Sequence, residues 1–482
     1  MTSRVKKISH QAKKDNMKYR KNTRKRKKKA LKKAKRRIRR PKRNLLSGKH
    51  FYALEAFIRF LHKFLKDLID KKLKPKAKQG KFTHNSLLIA WVLKCVLGIA
   101  QLSRFVEHLE SNPWLSKAMG FSRALKNSKP MSELLLKLTY PLLKWLFLHV
   151  LLQAREHGLV FGKTVSIDCC FLHIHGKTYE YAEKGYSGQL KRTARGYKLW
   201  VCFSVESQMP LSLRLDSGNV GETTHFKTCI GQADYVLGSH KLQWVLADRG
   251  FCSRELYWWL DKVMKVKFVF RAKVGRSNAY VQSAIDAFTA KDFRKSGSFQ
   301  SYAKTVVYGH KEQSLRLFVG KHKKYPKGMV LITNDFSIEY RAVRRYYLSR
   351  WNVETFFAHQ KGSFLLGKFC NTSWRGVNAQ VTCSLLACVL LQIFQLLLGK
   401  RYRRFDPCEL IERVLLHSFD CDFVRLMKTS YARGKALVAA LQRLFTFLKS
   451  WDDLEKLERF GGYRPKGFTM DIFELPKISV IT

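Results

Sequence analysis

A mixed α/β fold, a sheet with helices on its faces, is what this sequence predicts, and three observations predict it. The helical periodicity that begins at His50 ends near Glu156, and at Gly162 it gives way to short apolar and β-branched runs. Helix and strand patterns then alternate as far as Arg271, the arrangement that builds a sheet with covered faces. A second β-rich stretch fills 273–338, and helical patterns resume from Glu339 to about Asp452.

Taken in order, the elements begin with a basic arm over residues 1–48, with runs such as Arg24–Lys29 and Lys35–Arg40. Like charges repel along it, so it is expected to order only on meeting phosphate; whether it binds DNA, binds RNA or acts as an address is open at this point. From His50 onward Leu87, Ala90, Trp91, Lys94 and Cys95 recur at helical spacing, with breaks at Asn112-Pro113 and Lys129-Pro130. This reads as a helical bundle, either a DNA-binding domain or a scaffold. Strands follow at Val165–Leu172, Tyr197–Glu206 and Leu211–Leu215, then a helix over Glu222–Leu237, a strand at Trp244–Ala247, a helix over Ser253–Val263 and a strand at Lys267–Arg271. The β-rich stretch offers Ser301–Tyr308, Ser314–Val319 and Gly328–Thr333. Val381–Leu398 is apolar enough to resemble a membrane span, but Gln392 and Gln395 and the amphipathic helix before it favour a buried core helix, and no membrane partner is expected. The last thirty residues, with Gly461, Gly462 and Pro465, read as an extended tail.

Composition narrows the function. The 482 residues contain 93 Lys and Arg against 35 Asp and Glu, a formal charge of +58. Residues 1–50 hold 24 of the cations and one acid, Asp15, so removing their +23 from +58 still leaves +35 on the body. A body this basic calls for a polyanion, of which nucleic acid is the commonest. The eleven cysteines include one adjacent pair, Cys169-Cys170, and no CxxC spacing, which argues against a secreted disulfide framework and for reduced thiols in a cytoplasmic protein.

Two core strands end in an aspartate, Asp168 and Asp248. Each alone reads as a turn or helix cap, yet a carboxylate beside an apolar strand is costly to ionise unless it is paired or holds a cation. The helix over Arg344–Lys361 supplies more. Tyr347, Arg350, Glu354 and Lys361 fall on one stripe, within roughly 60° of arc at 100° per residue. An ordinary Arg350–Glu354 salt bridge on a solvated face would account for part of it. The same stripe suits a phosphate backbone, with cations as donors and the glutamate as a metal ligand. Phosphodiester displacement wants hard cations held by carboxylates, and three acids suffice. A zinc site at Cys170, His173 and His175 is disfavoured, because strand alternation parts Cys170 from both histidines.

The helix sequence YLSRWNVETFFAHQK carries Y-(2)-R-(3)-E-(6)-K at unbroken spacing and resembles the signature of bacterial insertion-sequence DDE transposases. Blocks at 166–168 (SID), 196–226 and 246–260 (LADRGFCSRELYWWL) resemble the same family, and the likeness spans about residues 160–400. It implies an RNase H-like catalytic core interrupted by a β-rich insertion, with helical regions before and after. On that plan residues 1–48 are the arm, 49–158 a helical, DNA-binding domain, 159–272 the first part of the core, 273–338 the insertion, 339–400 the second part of the core, and 401–482 a helical region with a tail.

By resemblance Asp168, Asp248 and Glu354 ligate two Mg²⁺ ions, with Mn²⁺ as a substitute. Tyr347, Arg350 and Lys361 contact phosphates of the transposon end, and Trp351, Arg249 and Arg271 join them as DNA-binding candidates. Core packing is the alternative for Trp351. The implied activity is cut-and-paste transposition on double-stranded DNA, by a homodimer in the cytoplasm, associated with the nucleoid. A nucleic-acid-binding protein that retains the shell without cutting, and a nuclease of the same fold without strand transfer, are the alternatives.

Overall fold

The computed structural model describes residues 52–65, 82–122, 124–176, 178–275, 278–296, 300–322, 325–398, 407–411 and 415. The basic arm expected at 1–48, and the C-terminal region from 401 apart from 407–411 and 415, lie outside the described residues.

Among the described residues, six helices precede the first strand: α1 (Tyr52–Leu65), α2 (His84–Val96), α3 (Leu102–Glu110), α4 (Pro113–Ala118), α5 (Lys129–Lys137) and α6 (Tyr140–Glu156). The Asn-Pro and Lys-Pro breaks mark α4 and α5 because proline tolerates only the first turn, where its missing N–H costs no hydrogen bond. Thr83 caps α2, its hydroxyl accepting from the Ser86 amide at 3.1 Å.

The sheet then forms from β1 (Thr164–His173), β2 (Glu183–Ser187), β3 (Arg192–Ser204), β4 (Pro210–Ser217), β5 (Trp244–Ala247) and β6 (Lys267–Arg271). Between β4 and β5 lies α7 (Phe226–Leu237), and between β5 and β6 lies α8 (Arg254–Trp258), continued by one π-helical turn. β1 runs antiparallel to β3 and parallel to β5, which is parallel to β6, while β4 pairs antiparallel with β3. The resulting order β4-β3-β1-β5-β6, with its first three strands in chain order antiparallel and the last two parallel to β1, is that of an RNase H-like core. β2 extends the sheet along the N-terminal half of β3.

After β6 come α9 (Ala279–Asp286), the two-residue β7 (Arg294–Lys295), β8 (Gln300–Tyr308), β9 (Ser314–His322) and β10 (Tyr325–Thr333). These strands do not form a separate sheet. β10 pairs antiparallel with β6 through Leu331↔Arg271, so β7–β10 continue the core sheet past its β6 edge. Two helices, α10 (Tyr340–Ser349) and α11 (Trp351–Gly362), then return across one face, and α12 (Trp374–Leu398) follows.

Strand alternation divides the layers. Trp244, Leu246, Val269, Phe318 and Leu331 meet Tyr340, Val343 and Tyr347 of α10 in one apolar cluster, and Phe203 of β3 packs on Phe356 of α11 with ring centroids 5.1 Å apart. The opposite face carries α7, where Phe226 meets Phe270 and His225 meets Trp200. Helix α12 is long and apolar enough to cross a membrane by composition, but it is buried inside the fold, and its Phe394 packs on Phe57 and Phe60 of α1. It serves here as a core helix, as its glutamines suggest.

Candidate active site

The parallel β1–β5 register ends at Ile167↔Ala247, so Asp168 and Asp248 occupy the next rung side by side. Asp248 follows the end of β5 as expected, whereas Asp168 does not end its strand, because β1 runs on to His173 and pairs Asp168 with Val201 of β3. Both point to the face that α10 and α11 cover, since Asp168 shares it with Ser166, the partner of Leu246. Burial of the carboxyl against its apolar strand raises Asp168 to about 7, with Glu354 and Asp248 adding to the effect. The Arg350 charge and the Cys169 amide, which donates to Oδ1 at 2.8 Å, pull the other way without overcoming it.

The helix expected over Arg344–Lys361 is in fact two, α10 and α11, meeting at Arg350. Arg350 keeps right-handed helical angles, but its amide bonds Tyr347 O at 3.2 Å and its carbonyl receives the Val353 amide at 3.2 Å, both three-residue steps that tighten the turn. The side chains still share a stripe. The Tyr347 hydroxyl donates to Asp248 Oδ1 at 3.1 Å, and burial together with Asp248 pushes that phenol up to about 12. Arg350 places Nη2 2.5 Å from Glu354 Oε1 and Nη1 3.8 Å from Asp168 Oδ2. It is 3% exposed, and its Nε and Nη1 have no hydrogen-bond partner. Burial works against its charge, but Tyr347, Glu354 and the two aspartates outweigh burial and hold the guanidinium ionised.

Farther along α11, Lys361 donates to the carbonyl of Phe171 at 3.0 Å and reaches Gln189 at 3.4 Å, beside the end of β1. Trp351 is 56% exposed, so the core-packing alternative for it does not hold. Arg271 ends β6 and lies near enough to Tyr347 to act on its hydroxyl, whereas Arg249 is exposed in the turn after Asp248. Sequence reasoning passed over Glu222. The helix expected to begin there begins at Phe226, because Trp200 Nε1 holds the Glu222 carbonyl at 2.7 Å in a loop. The Glu222 carboxylate rests against Gly250, two residues after Asp248, where a Cβ would stand 1.7 Å from its Oε2. Only the side-chain-less neighbour permits that approach.

By donor type the three carboxylates suit a hard divalent cation, and the raised Asp168 is a group such a cation would stabilise in its ionised form. By position Asp168 and Glu354 are bridged by the Arg350 guanidinium, and Asp248 is held by the Tyr347 hydroxyl. Among the described residues, no group of three or more His, Cys, Asp or Glu is drawn close enough to hold a metal ion.

Residues 161–390 match the family model for the transposase DDE domain. The match supports a transposase of the DDE type. Enzymes of that kind generally use divalent metal ions, and the matched segment holds β1, β5 and α11, with all three acids. Among solved structures, the cryo-EM structure of the piggyBac transposase synaptic complex with hairpin DNA is similar at 14% identity and a TM-score of 0.45, over 88% of this chain and 87% of that one. No curated protein matches the chain.

Proposed function

We propose that the protein is a Mg²⁺-dependent DNA transposase of bacterial insertion-sequence type that cuts at transposon ends and joins the freed 3′ end to target DNA. The observation that carries this reading is that Arg350 reaches both Asp168 and Glu354 while Tyr347, under the same guanidinium, bonds Asp248, so two touching side chains link the three acids.

Asp168, Asp248 and Glu354 would hold the cations, which supply Lewis-acid stabilisation for in-line displacement at phosphorus. The remaining work belongs to the chain. The unpartnered Nε and Nη1 of Arg350 are donors already stripped of water, so a phosphate oxygen entering the site meets charge-assisted hydrogen bonds at little further desolvation cost. Tyr347 fixes one oxygen of Asp248 and leaves the other free. Lys361, anchored on the β1 end, adds a second phosphate contact about two turns from Glu354. Cutting and joining are both phosphodiester displacements, so one site serves both. Arg249, Arg271 and the exposed Trp351 extend the DNA surface, and a homodimer acting in the cytoplasm would bring two ends together.

The pairing of Arg350 with Glu354 favours a second reading, a DNA-binding protein that cuts nothing. Purified protein incubated with Mg²⁺, the DNA flanking its own gene and a target plasmid distinguishes the two. Released ends covalently joined to target are expected; tight binding with no strand cut in Mg²⁺ or Mn²⁺ supports the second reading.

A further inference from the structure

The outer edge of the sheet carries an aromatic and basic ledge that the catalytic reading does not use. Tyr181 is 70% exposed and Tyr186 65% exposed, although both flank fully buried residues, Ala182 and Ser187. Tyr181 sits in the left-handed region at φ 56°, a strained conformation for a residue with a side chain, and rests on Trp374 with ring centroids 5.7 Å apart. Between the two tyrosines stands Lys184, exposed, and the turn into β3 adds the exposed Lys191 and Arg192.

Register places this ledge relative to the site. Asp168 pairs with Val201 on β3, and along β3 every second residue shares that face down to Arg195 and Thr193. Those two pair with Lys184 and Tyr186, so Lys184 and Tyr186 rise on the face that bears Asp168. Glu183, the acid of the strand, alternates to the other face. Six to eight residues separate the ledge from Asp168 along the strands, roughly 20–26 Å. Lys361, at the end of the helix that carries Glu354, touches Gln189 in the hairpin turn and bridges the interval.

A lysine on an edge strand is accounted for by protection against stray strand pairing, but large exposed rings are not. Paired DNA keeps its base faces stacked inside and offers a ring nothing to lie on. An unpaired strand offers both a π-face and a phosphate at each step. We propose that Tyr181, Lys184 and Tyr186, with Lys191 and Arg192, bind an unpaired stretch of DNA strand, its bases on the two rings and its phosphates on the cations. The inference rests on the DNA-processing reading above and names a part of the substrate: nucleotides unpaired some distance from the cut.

The test is fluorescence anisotropy with a labelled dT12 strand and a labelled 12-base-pair duplex, at fixed salt and without divalent metal. Tyr181→Ser/Tyr186→Ser is expected to weaken dT12 binding at least about fivefold per ring and duplex binding less than twofold. Tyr186→Ser alone, at a largely exposed position, gives the same selective direction should the double variant fold poorly. Lys184→Gln/Lys191→Gln/Arg192→Gln is expected to weaken both probes. Equal losses for strand and duplex, or no loss for the strand, overturn the proposal. So does a loss of self-association without a change in dT12 binding, which would make the ledge a contact between copies. Because no metal is present, these outcomes are independent of whether the protein cuts DNA.

Discussion

Tyr347 donates its hydroxyl to Asp248 across the seam between α10 and the end of β5, at 3.1 Å, and so joins the helix to the carboxylate of the sheet. The ring itself is 2% exposed and belongs to the apolar cluster under α10. Tyr347→Phe keeps the packing and removes the bond. It is expected to cost about 1 kcal/mol in urea unfolding, because Asp248 retains access to water, and to slow nicking roughly tenfold as Asp248 loses its fixed orientation. Unchanged nicking would remove Tyr347 from the site.

Asp168 links stability to pH. Its folded-state pKa is raised to about 7 from 3.8, mainly by burial, so the folded chain holds a proton that the unfolded chain releases between about pH 4 and 7. Stability from this group is therefore full below pH 4, falls as pH rises through that window, and stays low above it. Asp168→Asn, which does not titrate, is expected to melt a few degrees higher than the natural protein at pH 8 and to match it at pH 4 in metal-free buffer. A lower melting temperature at pH 8 would contradict the assignment.

Lys361 is held where a phosphate contact costs little ordering, with its ammonium on the Phe171 carbonyl. Lys361→Ala is expected to weaken DNA binding similarly across sequences and to reduce the slope of log K against log salt by about one. Sequence-selective loss with an unchanged slope would point to base contact instead.

Gly196 lies where β1, β2 and β3 crowd together. A Cβ there would stand 2.2 Å from Leu172 O and 2.6 Å from the Phe171 ring, and the backbone atom cannot swing away. Gly196→Ala is expected to cost at least about 2 kcal/mol in denaturant unfolding. Glu222→Ala, at an exposed carboxylate, is expected to change stability by less than about 0.5 kcal/mol.

The sequence was most readable where one physical rule acted alone. β5 and β6 fall at Trp244–Ala247 and Lys267–Arg271 as expected, because compact apolar runs bounded by polar residues have few other ways to be buried. β2 was not readable: Glu183–Ser187 has little apolar alternation, and its place comes from pairing with β3, a tertiary contact. Helix α9 inside the β-rich stretch, the late start of α7 and the break at Arg350 were missed for the same reason. Spacing along the stripe brought Tyr347, Arg350 and Glu354 together correctly, since two tightened hydrogen bonds barely disturb a helical repeat. It could not tell that Arg350 would be buried among the acids, because that depends on the depth to which α11 sinks onto β1 and β3.

If the three acids cut DNA together, single-turnover nicking of the gene's flanking DNA in Mg²⁺ depends on each of them. Asp168→Asn, Asp248→Asn and Glu354→Gln, each folded and each still binding that DNA, are expected to lose nicking by a factor of about 10³ or more apiece. Nicking at the natural rate by any one of them would remove that acid from the cutting site.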